Sequence, residues 1–184
     1  MRVPRLDDGV VALDAHTLAD VAAHVAGEDP EQARRFGWHP KRSTPETATA
    51  AIEAWQAQWA ADGPQRAFAV RELPGGALAG GCELRLQSDG RAAMSYWTFP
   101  AFRGRGLATR AVRLVTAWAF AELAVVRVEL HIEPDNHASL AVARRAGFTR
   151  EGVLREYTSV GERRADMVSW SRLASDPIEQ ETPT

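Results

Sequence analysis

Apolar residues recur along this chain with two periods, and those periods divide it into strands and helices. Over residues 125–132, Val126, Val128, Leu130 and Ile132 alternate with Arg127, Glu129 and His131, and Glu133 continues the polar series. That spacing predicts a strand with one packed face and a second face that meets solvent or a polar cleft. From Gly106 onward, Leu107, Ala111, Leu114, Val115 and Trp118 return every three or four positions, which predicts a helix laid on a sheet. Ile52, Trp55 and Trp59 do the same behind Thr44-Pro45 and Glu46. Those three residues make a helix start, and the helix should end near Gly63-Pro64.

Turn signals bound the remaining elements. Residues 10–13 read as a short first strand, and Thr17 can cap a helix carrying Leu18, Val21, Ala22 and Val25, which Asp29-Pro30 breaks. Residues 30–36 add one more helical piece before the loop Gly37-Trp38-His39-Pro40, where Trp38 either joins the core or lines a substrate mouth. Residues 67–73, 77–86 and 91–99 are strands separated by Pro74-Gly75-Gly76 and Ser88-Asp89-Gly90, an antiparallel meander. Pro134-Asp135-Asn136 ends the strand at 125–132, and a short helix over 138–146 stops at Gly147. Residues 148–154 and 166–173 are the last strands, with Gly161 in a polar connection between them. Residues 175–184 lack an apolar period and hold two prolines, so a loose tail is expected after a single domain at 1–174.

Composition narrows the class. At 184 residues the chain can bury a real core as one domain. A formal net charge of -2 argues against a general nucleic-acid binder. Cys82 is the only cysteine, so neither an internal disulfide nor a multi-cysteine metal site is available, and no metal is expected. With no signal-like N-terminus, the single thiol suits a reducing cytoplasm. The longest apolar stretch, 114–126, is interrupted by Thr116 and Glu122, so no membrane span is expected.

The chemistry concentrates after residue 96. Tyr96-Trp97-Thr98-Phe99 leads into Arg103-Gly104-Arg105-Gly106-Leu107-Ala108-Thr109 and then the helix. Two glycines one residue apart open backbone conformations closed to other residues and keep side chains away from the amides. The first amides of the following helix lack helical partners and carry its positive dipole end, so a phosphate fits there. Arg103, Arg105, Arg110 and Arg113 lie close by in sequence and are expected as counter-charges; the plainer reading is a basic solvated turn. A P-loop would need Gly-Lys-Ser/Thr where Gly106-Leu107-Ala108 stands. A Rossmann fingerprint would need a third glycine at Thr109 and a βαβ unit around it. What remains is Arg/Gln-x-x-Gly-x-Gly/Ala, met by Arg103, Gly106 and Ala108.

That pattern resembles the pyrophosphate loop of the GNAT acyltransferase superfamily, and the element order β-α-α-β-β-β-α-β-α-β-β matches that topology up to the tail. Asn136-His137-Ala138-Ser139 with Ala146-Gly147-Phe148, Tyr96-Trp97 before the loop and Glu151-Gly152-Val153-Leu154-Arg155 after it resemble the RimJ/RimL-type branch. The resemblance implies an α/β (α+β) domain with a mixed, mostly antiparallel sheet of six to seven strands, helices on both faces, and a splay between the fourth and fifth strands. It implies acetyl-CoA as acyl donor, held by Trp97, Thr98 and Phe99, by the loop from Arg103 to Thr109, and by Asn136 and Ser139. Asn136 would bond the pantetheine arm, or simply cap the short helix.

The implied reaction is attack of a neutral amine on the thioester, by direct transfer. Many members carry a tyrosine acid seven residues after the asparagine, but Ala143 stands there. Ser139 is the substitute that the branch suggests, as a donor to the leaving sulfur, against a purely structural role at the helix start. Glu83, Glu129 and His131 are candidate bases or acceptor contacts, each weighed against an ordinary solvated or paired role. Backbone amides near Trp97 to Phe99, at a bulge many members carry, can polarise the thioester oxygen. Cys82 in an apolar strand reads as packing rather than as an acyl-enzyme nucleophile. Trp38, Trp55 and the early helices border the acceptor in this reading. The acceptor is a protein N-terminus or a small-molecule amine such as a polyamine or an antibiotic; the alternative class is a noncatalytic acyl-CoA sensor. A homodimer is compatible with the sequence, which does not decide it.

Overall fold

The computed structural model describes residues 2–37 and 41–177. The N-terminal part holds β1 (Leu6–Asp7), β2 (Val11–Asp14), α1 (Val21–Gly27), α2 (Pro30–Arg35) and α3 (Pro45–Ala60). The central part holds β3 (Gln65–Glu72), β4 (Ala77–Leu86), β5 (Arg91–Thr98) and α4 (Leu107–Glu122). Then come β6 (Arg127–Ile132), α5 (His137–Arg145), β7 (Thr149–Val160) and β8 (Arg163–Leu173). The strands form one sheet of 8 in the order β1-β2-β3-β4-β5-β6-β8-β7.

Every neighbouring pair runs antiparallel except β5 and β6, which are parallel. Their register holds only at Arg91↔Arg127, Ala92↔Val128 and Ala93↔Glu129. Beyond Ala93 the two strands part, so the expected splay is present and its apex lies near the start of both. The one strand missed by periodicity is β1: two residues are too few to show alternation.

The main core lies on the α4 face. Leu107, Ala111, Val112, Val115, Trp118 and Ala119 of α4 cluster with Val11, Leu13, Phe68, Cys82, Leu84, Met94, Val128 and Leu130 from the strands. Trp59 of α3 joins it: its Nε1 donates to Ala67 O at 2.8 Å, and its ring meets those of Phe68 at 5.2 Å and Trp118 at 5.9 Å. A smaller cluster on the opposite face unites Ala69, Leu78 and Phe99 with Ala23 of α1 and Trp97. Helices therefore cover both faces, as expected.

Three boundaries differ from the sequence reading. α3 stops at Ala60, before Gly63-Pro64, because Asp62 already adopts a left-handed φ of 52°. The polar connection expected between residues 154 and 166 is mostly strand, and Gly161 (φ 62°) stands between β7 and β8. This ribbon is exposed on both faces along most of β7, so it has no alternation to read; its ladder with β8 holds it. The expected tail at 175–184 begins anchored: Asp176 accepts from the Leu173 N–H at 2.8 Å and Pro177 O from Arg172 at 3.2 Å. Its remainder, and Trp38, lie outside the described residues.

Candidate acyl-CoA cleft

A cleft of about 510 Å3 opens where β5 and β6 part, bounded by β5, the glycine turn, α2 and α5. Its floor is the turn itself. Gly104 and Gly106 sit at φ 75° and 77°, in the left-handed region that favours glycine. Nothing lies within 4 Å of a Cβ built on either one. Gly106 is the N-cap of α4 and offers no side chain to it. Among the described residues, no protein acceptor takes a hydrogen bond from the backbone N–H groups of residues 104–109. The amides that the helix dipole favours for an anion are thus open toward the cleft.

Each of the arginines near the turn has a partner within the protein. Arg103 donates Nε to Thr98 O at 3.0 Å and its fork to both oxygens of Asp29 at 2.7 and 3.0 Å. Arg105 pairs with Glu72 at 2.6 Å and leans over the Phe102 ring. Arg110 pairs with Asp8 at 2.7 Å, and Arg113 donates to Arg145 O at 2.6 Å. Carboxylates from the β1–β2 turn, β3 and the N-cap of α2 hold Arg110, Arg105 and Arg103, a carbonyl of α5 holds Arg113, and no spacing in the sequence shows those partners. Arg145 of α5 does line the cleft.

β5 presents two faces to two tasks. Tyr96 stands opposite Cys82 and Trp97 opposite Gly81. The Trp97 ring lies where a Gly81 side chain would be, 2.2 Å from an added Cβ, so only glycine fits there. Trp97 stacks with Trp55 at 5.9 Å, and with the half-buried His24 and the buried His16 it forms an aromatic cluster. That cluster had no sequence signature. The register of β5 with β4 is unbroken, so the bulge expected near Trp97 to Phe99 is absent. The Phe99 amide donates to Ala79 O at 2.9 Å. By the alternation of an antiparallel pair, Tyr96 and Thr98 then turn their amides and carbonyls away from β4, toward the open side.

The predicted cofactor contacts divide accordingly. Trp97, Thr98, Arg103, Gly104, Gly106, Leu107, Ala108 and Thr109 line the cleft. Phe99 and Arg105 do not. The Phe99 ring is buried against Gly27 of α1, and Arg105 reaches outward to Glu72.

Asn136 and Ser139 complete the opposite wall. Asn136 Oδ1 accepts from the Ser139 N–H at 3.1 Å, capping α5, so the capping role is realised beside any ligand role. The Tyr96 hydroxyl lies 2.7 Å from the Ser139 hydroxyl and 3.1 Å from Ser139 O, two acceptors within reach of its one proton. Burial pushes the Tyr96 phenol well above the ordinary tyrosine range, although the Ser139 contact opposes that rise. Sequence reasoning quoted Tyr96 as part of a motif and gave it no role; its place opposite Cys82, beneath α5, comes from register and packing.

The candidate bases lie elsewhere on the sheet. Glu83 is 5% exposed and accepts from Arg85 Nε at 2.6 Å. Glu129 accepts from Arg127 at 2.7 Å, with Arg91 3.8 Å away. The His131 ring packs at 4.7 Å on Tyr157, and burial lowers its pKa. None of the three lines the cleft. Glu31 of α2 does, but Arg34 and Arg35 hold it below the usual carboxylate range, with the Arg34 contact the largest cause. Cys82 is fully buried, and burial pushes its thiol far up, so it is no nucleophile.

Residues 11–149 match the family described as Acetyltransferase (GNAT) domain, so the chain belongs to the GNAT acetyltransferase family. A putative ribosomal N-acetyltransferase, YdaF of Bacillus subtilis, is 36% identical over 87 residues, 47% of this chain and 48% of that one. Spermidine N(1)-acetyltransferase of Escherichia coli is 33% identical over 64 residues, 35% and 34% of the two chains. The chain thus spans about half or less of the length of the curated relatives it matches. Among solved structures, Mycobacterium smegmatis RimJ in complex with CoA-disulfide superposes with a TM-score of 0.78 at 23% identity, covering 94% of this chain and 87% of that one. That likeness carries the fold. No helix among the described residues is long and apolar enough to cross a membrane.

Proposed function

We propose that this protein transfers the acetyl group of acetyl-CoA to an α-amino group, such as the N-terminus of a protein or peptide. The observation that carries the reading is the pairing of a turn whose amides are open with a cleft whose one carboxylate among the described residues, Glu31, is already neutralised by arginines. The amides of residues 104–109 bind the diphosphate, and the pantetheine arm runs along Tyr96 and Thr98 toward Ser139. RimJ, whose structure carries CoA as a disulfide, supports acetyl-CoA as the donor.

The acceptor class follows from charge and proton affinity. A polyamine site needs free carboxylates, whereas Glu31 is the only carboxylate among the described residues lining this cleft and is itself paired, with Arg35 and Arg145 beside it. An α-amine with a pKa near 7.8 is neutral in about one molecule in seven at pH 7; an alkylamine near 10.4 is neutral in about one in 2,500. A cleft with no strong base among its described lining residues therefore suits the α-amine, with water taking the proton. Its mechanism needs the turn to fix the donor, the amides of Tyr96 or Thr98 to polarise the carbonyl, and Ser139 to meet the leaving sulfur.

CoA release measured at pH 7 with an unblocked peptide, its N-acetylated counterpart, spermidine and a small aromatic amine tests this. The unblocked peptide should give a kcat/KM at least about tenfold above spermidine. Preference for spermidine would overturn the acceptor class. CoA binding with no turnover on any amine would instead support an acyl-CoA sensor.

A further inference from the structure

The Tyr96–Ser139 contact joins the floor of the cleft to its far wall, and its chemistry has an internal logic. A serine hydroxyl is a rotor with one proton. Left alone, it can spend that proton on a nearby carbonyl. Here a phenol reaches its oxygen at 2.7 Å, closer than the 3.1 Å from the same phenol to Ser139 O. When the phenol gives its proton to Oγ, the serine must direct its own proton elsewhere, and the remaining open side is the cleft that both residues line.

We propose that Tyr96 is a positioning residue for thioester cleavage: its phenol donates to Ser139 Oγ and thereby turns the serine proton toward the departing sulfur. The inference rests on the acetyl-CoA reading above. In the step concerned, the amine nitrogen bonds to the carbonyl carbon, the carbon–sulfur bond breaks, and its electron pair stays on sulfur. The ammonium proton goes to water. The chain from Tyr96 through Ser139 stabilises the thiolate by hydrogen bonding, each bond polarising the next. It does not deliver a proton, because a buried phenol and a serine hydroxyl both hold theirs more tightly than a thiol near 8.5. The thiolate takes its proton from water after release. Burial keeps Tyr96 protonated at every working pH, so the donor is always present.

The test reads the sulfur directly. The full chain is saturated with CoA and the thiolate absorbance in the ultraviolet is followed against pH, alongside calorimetric affinity for desulfo-CoA. The bound thiol should titrate about one pH unit below free CoA. Tyr96→Phe should return at least about half of that shift and Ser139→Ala essentially all of it. The double variant should add nothing beyond Ser139→Ala, and desulfo-CoA affinity should change less than about twofold in each. The other charged or titratable groups facing the site, Glu31 and Arg35 of α2, Arg103 of the turn, Arg145 of α5 and Cys82 beneath the ring, are unchanged throughout. A bound thiol whose titration ignores Tyr96→Phe overturns the proposal. Failure of CoA to bind at all overturns the acetyl-CoA reading instead.

Should Tyr96→Phe fail to fold, fluorinated tyrosine decides. The chain has 2 tyrosines, and Tyr157 is 49% exposed, so 3-fluorotyrosine in a Tyr157→Phe background marks Tyr96 alone. A more acidic phenol is a stronger donor, so the bound thiol should titrate lower still than in the unlabelled background. No movement, or movement upward, overturns the proposal.

Discussion

Gly106 shows how much one missing side chain permits. Its φ of 77° is strained for any other residue, by about 1–2 kcal/mol, and the open space above it is where phosphate oxygens would come. Gly106→Val should therefore lower CoA affinity at least about tenfold by calorimetry, with the circular dichroism spectrum retained. His16 carries a different kind of residue-scale consequence. Burial, with His24 3.2 Å away, pushes its pKa down to about 3. The unfolded chain binds a proton near 6.5 that the folded one refuses. Stability is therefore full above about pH 6.5 and falls as the pH drops toward 3. Asp20, which burial raises but Arg71 lowers further, to about 2, stays ionised across that window. Urea unfolding at several pH values should show a slope of up to about 1.4 kcal/mol per pH unit between 6 and 4, reduced in His16→Gln; an unchanged slope would place the titration elsewhere, with His24 the next candidate.

At the scale of elements, α2 poses the question of why 6 residues stay helical. A helix that short has no stability of its own. Pro30 opens it and Asp29 caps it, accepting from the Gln32 N–H at 2.9 Å. The same carboxylate holds both arms of Arg103, and that pairing, its largest influence, lowers its pKa. One side chain thus ties α2 to the glycine turn. Asp29→Ala should cost about 1 kcal/mol from the cap alone and weaken CoA binding severalfold. Asp29→Asn keeps the cap, so denaturation should show a smaller loss while calorimetry still shows weaker binding; binding equal to that of the unchanged protein would mean that the charge contributes nothing.

At the scale of the molecule, Phe68 lies against both Trp59 and Trp118, and Trp118 is 8% exposed. That trio fixes α3 and α4 against the sheet, and the turn rides on the end of α4. Trp118→Ala should cost about 3–5 kcal/mol, seen as a lower urea midpoint. A loss below about 1 kcal/mol would mean that the two helices are held by other contacts. The same packing explains what could be read beforehand. Helices α3 and α4 are packed on one side and so wear their period openly, whereas β3 and β4 are buried on both faces and are legible only from the turn signals that bound them. The β7–β8 ribbon, held by its ladder, shows none. Asn136 was legible as a cap because capping is local. The arginine partners were not, since Asp8 and Arg110 stand 102 positions apart.

By itself, then, the order of residues determined the local quantities: which segments are helix or strand, where glycine frees the backbone, and which loop leaves helix amides open. Those depend on neighbours within a few positions. Tertiary structure alone decided which carboxylate neutralises which arginine, that Glu83, Glu129 and His131 sit away from the cleft, and that Tyr96 meets Ser139. Such contacts are set by register and by the parting of two strands, and no local period encodes them.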